Sequence, residues 1–201
     1  MGATKEQSEQ NRRHILEVAL RMFGEKGFSA CRLEDIAQAA GVTRGAIYWH
    51  FKNKIDLFIQ LFTEKVRDFY EQFLPLTELD LPPLERIRNL LHYIVKRLNE
   101  DPDMRAIALL QYNIEWTQEV HQKLVEAFNS LKIDEIKPLV KLVEEAKEKR
   151  DIKPNRSTLA VVAMIRLFIH GIAHTILDEL EKISVAQVEE AVDEFVDMLG
   201  R

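Results

Sequence analysis

Apolar residues along this chain recur at intervals of three and four, and nowhere do they alternate strictly with polar ones. That spacing predicts helices throughout and no sheet. Ile15, Val18, Ala19, Met22 and Phe23 mark a first helix over about residues 9–26, after a polar start at 1–10. Ile36, Ala37 and Ala40 mark a short second helix from Leu33, and a short third begins at Arg44. Asn53 is placed to cap a fourth, which carries Leu57, Phe58, Leu61, Phe62, Val66, Phe69, Tyr70 and Phe73 and stops at Pro75. Leu81-Pro82-Pro83 opens a fifth to about residue 99, and Asp101-Pro102 opens a sixth to about residue 117. A seventh is expected over about 119–150, with Pro138 set to kink or divide it. After the break at Lys153-Pro154-Asn155 comes an eighth, capped by Asn155 or Ser157 and running to about residue 182. Ser184 caps the ninth and last, which ends at Leu199. The fold class is therefore all-α, with no repeat and no low-complexity tract.

The most specific chemistry sits at residues 33–54, LEDIAQAAGVTRGAIYWHFKNK. Gly41 stands where a helix end needs a positive φ, and the Thr43 hydroxyl can accept from an amide in the next turn. Helix, tight turn and second short helix together make a helix-turn-helix, whose second helix would enter a DNA major groove. Tyr48, Trp49, His50, Lys52 and Lys54 follow within seven positions of one another, all carrying donors suited to phosphate oxygens. Arg44 and Gly45 begin the second helix, where small size lets a backbone approach a bulky partner. Arg44 is the candidate for guanine edges, against the plainer reading of another phosphate contact. Leu33, Ile36, Ile47 and Phe51 read as core.

The pattern T-x-G-x-[IL]-Y-x-H-F-x-x-K after I-A-x-x-A-G-V resembles the TetR family of one-component transcriptional regulators. GVTRGAIYWHFKNK is similar in particular to its AcrR-like repressors of multidrug efflux pumps. The resemblance is specific over about residues 11–62. It implies a nine-helix fold with a three-helix DNA-binding head at residues 1–52. The body, at 53–201, would bind ligand and dimerise through its last two helices. It further implies that Tyr48, His50 and Lys54 touch phosphates, Lys54 from the start of the fourth helix. Relatives often carry Thr or Ser just before the second helix, where this chain has Cys31-Arg32. Arg32 is then a candidate phosphate contact, against a solvated surface arginine, and Cys31 is better read as a small half-buried residue than as a redox sensor.

Composition changes the picture in one respect. The net charge of −5 argues against a DNA binder, but residues 1–56 carry +2 and the remainder −7. The single cysteine excludes an internal disulfide and fits a reducing cytosol, and the polar start gives no signal peptide. Residues 159–177 are apolar but interrupted by Arg166, His170 and His174, which suits a buried helix better than a membrane span. A cytoplasmic protein with no membrane partner is expected.

Arg166, His170, His174 and Asp178 fall at i, i+4, i+8 and i+12 on that eighth helix. The stripe could line a ligand cavity, lie in a dimer interface or hold a metal. The cavity reading comes first, and the metal reading lacks further ligands. With the resemblance, Phe69, Phe73, Tyr93, Ile107, Leu110, Gln111, Ile114 and Phe128 become candidate ligand contacts beside Arg166, His170 and His174. Each of the aromatic and aliphatic residues taken alone is better explained as core than as a ligand contact. Val188, Ala191, Val192, Phe195 and Leu199 form an apolar stripe assigned to the dimer.

No catalytic constellation, cofactor motif or metal set stands out. The expectation is a homodimeric, sequence-specific repressor, not an enzyme, that binds palindromic operator DNA and is released by a small hydrophobic inducer. The alternatives are a helical ligand-binding or enzymatic protein that keeps the head as scaffold, and a non-specific DNA binder.

Overall fold

The structure is a computed structural model that describes residues 5–131, 134, 136–178 and 182–201. Among these residues the elements are helical: α1 (Lys5–Lys26), α2 (Leu33–Ala39), α3 (Arg44–His50), α4 (Lys54–Phe73), α5 (Pro83–Glu100), α6 (Pro102–Asn113), α7 (Gln118–Leu131), α8 (Lys137–Glu148), α9 (Thr158–Leu177) and α10 (Val185–Gly200). A short 3-10 turn, Leu74–Glu78, follows α4. The expected seventh helix is divided rather than kinked, because Pro138 falls in the first turn of α8, where a missing N–H costs nothing. This division makes ten α-helices, among the described residues, of the expected nine. α1 begins at Lys5, earlier than the apolar pattern alone required. α6 stops at Asn113, where the Trp116 indole donates to the Gln111 carbonyl at 3.0 Å and satisfies one of the open carbonyls. The end expected for the eighth helix falls partly on residues 179–181, outside the described residues; α9 is observed to Leu177.

The chain divides into two compact units, residues 1–66 with 106–132, and residues 67–105 with 133–201. In the first unit, Ile15, Phe23, Ile36, Ile47, Phe51, Leu57 and Phe58 are fully buried and share one core with Ile107, Leu110, Ile114, Val120 and Leu124. Phe23, Phe28, Phe58 and Phe62 run through it with successive ring centroids 5.3, 5.4 and 5.6 Å apart. Such tilted pairs add to area burial through edge-to-face electrostatics.

In the second unit, α5 lies against α8, α9 and α10. Its Ile87, Leu90, Leu91, Ile94, Val95 and Leu98 are buried, as the three-and-four spacing requires. Arg86 is buried, donating to the Thr77 carbonyl at 2.9 Å and pairing with Glu145 of α8. Arg88 clamps α10, with Asp193 and Asp197 each at 2.7 Å. Ser184 and Gln187 form a reciprocal capping box at the start of α10.

α9 corrects an expectation. Its sequence suits a buried helix, yet only Val161, Val162, Ile165, Ile172 and Leu177 are buried. Leu159, Met164 and Leu167 stand 67%, 47% and 71% exposed. The cause is geometric: among the described residues α9 packs on α5, α8 and α10 through its buried positions, and Leu159, Met164 and Leu167 stand on the side left exposed. By length and composition α9 is the single described helix that could cross a membrane, with 22% of that window buried in the chain.

Candidate nucleic-acid interface

The turn between α2 and α3 is built by glycine and threonine. Gly41 adopts φ +66°. The Val42 amide donates to the Ala37 carbonyl at 3.0 Å and the Gly41 amide to that of Gln38 at 3.1 Å, a Schellman closure of α2. Thr43 then caps α3, its hydroxyl oxygen accepting from the Ala46 amide at 3.1 Å. At the other end of α2 the usual hydroxyl cap is absent, because a guanidinium has no acceptor. Asp35 supplies the remaining half of the cap, accepting from the Arg32 amide at 3.2 Å.

On α3, Ile47 is buried in the core and anchors the helix, and Phe51 beside it is fully buried. The anchoring leaves Arg44, Gly45, Tyr48 and Trp49 outward, with Trp49 82% exposed. An indole so exposed has no packing duty within the chain. Gly45 has none either: a Cβ there would meet nothing nearer than the Thr43 hydroxyl at 3.9 Å, an ordinary contact. Its smallness is therefore not demanded by this fold, which fits a close approach by something outside it.

Tyr48 and Arg44 share one acceptor. The Tyr48 hydroxyl donates to Glu34 Oε1 at 2.9 Å, and the Arg44 guanidinium reaches the same oxygen at 3.4 Å. The guanidinium carbon also lies 5.6 Å from the Tyr48 ring centre. The Glu34 carboxyl is held below its usual range, first by backbone hydrogen bonding within its own residue and then by Tyr48. Sequence reasoning misses Glu34. It stands 10 positions before Arg44 and 14 before Tyr48, a separation that only the helix-turn-helix geometry closes.

His50 is half-buried, and that burial lowers its imidazole value, with Arg12 adding to the effect. Burial thus favours its neutral form, which still offers one N–H donor. Lys52 and Arg32 are exposed, as solvated phosphate contacts would be. Lys54 differs. Its ammonium donates to the carbonyls of Phe28, Ser29 and Cys31 at 2.7, 3.3 and 2.8 Å and lies 4.4 Å from the Phe28 ring centre. Burial lowers its value below that of an ordinary lysine. All three ammonium hydrogens thus have partners in the loop between α1 and α2. Cys31 is buried, its thiol 3.4 Å from the Met22 carbonyl and pushed up by burial, the environment of an inert thiol.

The candidate ligand contacts fall in both units. Ile107, Leu110 and Ile114 are core of the first, and Phe128 packs against that core, 6.3 Å from Phe62; Gln111 is exposed. Phe69, Phe73 and Tyr93 cluster in the second, with Phe69 5.5 Å from Phe73 and 6.0 Å from Tyr93. The Tyr93 hydroxyl donates to Gln72 at 3.0 Å. Arg166 is half-buried, whereas His170 and His174 are exposed on the bare side of α9. No group of three or more His, Cys, Asp or Glu with metal-binding geometry occurs among the described residues. The stripe on α10 assigned to a dimer lies inside the chain instead. Val188, Val192, Phe195 and Leu199 are buried, Phe195 stacks on Phe168 at 4.1 Å, and of that stripe Ala191 is exposed.

Residues 15–61 match the model of the bacterial regulatory proteins of the tetR family. The HTH-type transcriptional regulator AcrR of Shigella flexneri is 59% identical over 58 residues, 29% of this chain and 27% of that protein. TtgR of Pseudomonas putida, another such regulator, is 36% identical over 120 residues, 58% of this chain and 57% of its own length. The matched segments thus span between a quarter and just over half of these curated relatives. The crystal structure of NalD from Pseudomonas aeruginosa, the secondary repressor of the MexAB-OprM multidrug efflux pump, is similar at 31% identity. It superposes with a TM-score of 0.73 over 96% of each chain.

Proposed function

The chain belongs to the TetR family of bacterial regulatory proteins, and from that premise we propose that it is a homodimeric, cytoplasmic, sequence-specific repressor released from its operator by a small hydrophobic compound. The observation that carries the DNA-binding reading is the outward face of α3. Arg44, Tyr48 and the exposed Trp49 surround Gly45 on a helix anchored by the buried Ile47. Arg44 offers a bidentate edge to guanine. Tyr48, His50, Lys52 and Arg32 supply phosphate contacts that fix register. Lys54 contributes by holding the loop that precedes α2, a role its three carbonyl partners support better than a direct phosphate contact.

A second copy of the chain is the proposed cover for the bare side of α9. Leu159, Met164 and Leu167 share it with His170 and His174, which favours the interface over the cavity for the two histidines. Twofold symmetry would present two α3 helices to half-sites about one helical turn, roughly 10–10.5 base pairs, apart. NalD represses a multidrug efflux pump, and a drug-like inducer is proposed here by analogy. The aromatic group of Phe69, Phe73 and Tyr93, with the Tyr93 hydroxyl at its edge, supports an apolar ligand bearing one polar group.

The test is a mobility shift of the intact protein on the DNA upstream of its own gene, repeated with a panel of hydrophobic drugs. A discrete complex that competitor DNA fails to displace, and that one class of drug releases, is expected. A complex lost equally to any competitor duplex would contradict the sequence-specific reading.

A further inference from the structure

The Glu34 carboxylate faces the wrong way for a simple DNA-binding surface. It adds negative charge to the face that must meet phosphates, and one of its oxygens engages two of that face's donors, the Tyr48 hydroxyl at 2.9 Å and the Arg44 guanidinium at 3.4 Å. Arg44 and Tyr48 lie one turn apart on α3, spacing that brings their side chains together. The guanidinium carbon lies 5.6 Å from the Tyr48 ring centre, so the three groups form one closed set. Neither partner serves the core, since both point outward. We infer that Glu34 is a specificity-determining residue, holding Arg44 away from indiscriminate phosphate contacts and in the orientation that meets a base edge. This inference rests on the DNA-binding reading above.

The two kinds of complex differ in what they ask of Arg44. On DNA of arbitrary sequence, affinity comes from phosphate neutralisation. There a phosphate contact by Arg44 either breaks its pair with Glu34 or draws that carboxylate towards the DNA backbone, and both are costly. On the operator, Arg44 keeps its carboxylate. The guanidinium has five donors in a planar fork, and a single carboxylate oxygen at one nitrogen leaves donors for guanine O6 and N7. Glu34 thus penalises the non-specific complex and pre-orients the specific one. Specificity is the difference between those two affinities, and raising the cost of the wrong complex is as effective as improving the right one.

The experiment compares the intact protein with Glu34→Gln, which keeps the shape of the side chain and removes its charge. Equilibrium binding is measured on the duplex recovered by binding selection and on a scrambled duplex of equal length, across a range of salt. Breaking an exposed pair changes an equilibrium by no more than about fivefold. The scrambled duplex should therefore bind Glu34→Gln up to about fivefold more tightly. Its salt slope should steepen by about 0.9, the signature of one added phosphate contact. The operator should gain less, so the ratio of the two affinities falls. Adding Arg44→Ala to Glu34→Gln should abolish the gain on scrambled DNA, because the liberated arginine is its source. A ratio and slope unchanged in Glu34→Gln, with the unmodified protein still preferring the operator, would overturn the role of Glu34 alone. An unmodified protein with no preference between duplexes would overturn the DNA-binding reading and this inference with it.

Discussion

The outward faces of α3 and α9 both expose large side chains, but in opposite chemical forms. On α3 the exposed groups are donors, and Arg44 and Tyr48 are already oriented by a hydrogen-bonded neighbour, Glu34. On α9 Leu159, Met164 and Leu167 make the exposed surface mainly apolar, with His170 and His174 beside them. Oriented donors suit a charged partner whose atoms have fixed positions, because geometry must be correct before the bond is worth making. Bare apolar surface is indifferent to detail and gains simply by leaving water. The contrast is why recognition is proposed for α3 and assembly for α9.

The largest expected effect breaks this contrast at α9. Leu167→Asp places a charge on a residue 71% exposed in the single chain, so folding of one copy should survive. In a dimer that charge is buried without a partner. Sedimentation velocity should show a monomer, and operator affinity should drop by about a hundredfold or more as the shared effective concentration of two α3 helices is lost. Phe195→Asp should instead unfold the chain, since Phe195 is buried against Phe168.

The next effect tests how α3 is supported. Lys54→Ala removes three hydrogen bonds to the loop of Phe28, Ser29 and Cys31. In urea denaturation it should lower stability by about 1–2 kcal/mol, a figure already discounted for the partial exposure of the ammonium. A loss of DNA affinity with stability and loop protection unchanged would return Lys54 to direct phosphate contact.

Two helix ends form a matched pair. α2 and α8 finish in the same Schellman closure. The left-handed position is Gly41 (φ +66°) in one and Arg150 (φ +63°) in the other. A Cβ on Gly41 meets no atom within 4 Å. The cost of Gly41→Ala, about 1–2 kcal/mol, would therefore be backbone strain alone. Arg150→Gly should relieve the corresponding strain and stabilise by about 1 kcal/mol. Thermal denaturation of both checks the sign.

The smallest effect is a dependence on pH within the second unit. Asp193 is held below its ordinary value by hydrogen bonds from His92 and then Arg88, and Glu145 by those from Arg86 and then Lys149. Because the folded values are depressed, the stabilisation is full above the ordinary carboxylate range. It is lost as pH falls through that range and through the depressed values. Stability should therefore decline below pH ~4. Arg88→Met should flatten part of that decline by less than about 1 kcal/mol, because the pairs are exposed.

The helices and their caps were legible because they are local. Apolar spacing, Gly41, Thr43, Ser184 and Pro138 act within a few residues. The α3 face was legible for the same reason, since its donors cluster in sequence. What escaped were contacts that only folding creates. Lys54 is 23 to 26 residues from its carbonyls, and Glu34 is 14 from Tyr48. The apolar stripes of α9 and α10 look alike in sequence, yet α5 covers one of them and leaves part of the other bare. Periodicity says that a face is apolar, not what lies against it.

Binding-site selection, run in parallel on the unmodified protein and on Arg44→Ala, tests most directly the claim that α3 reads sequence. The expected result is a palindrome for the unmodified protein, with half-sites about 10–10.5 base pairs apart, and loss of preference at one position in each half-site for Arg44→Ala. Random sequences from the unmodified protein, or identical preferences from both, would contradict it.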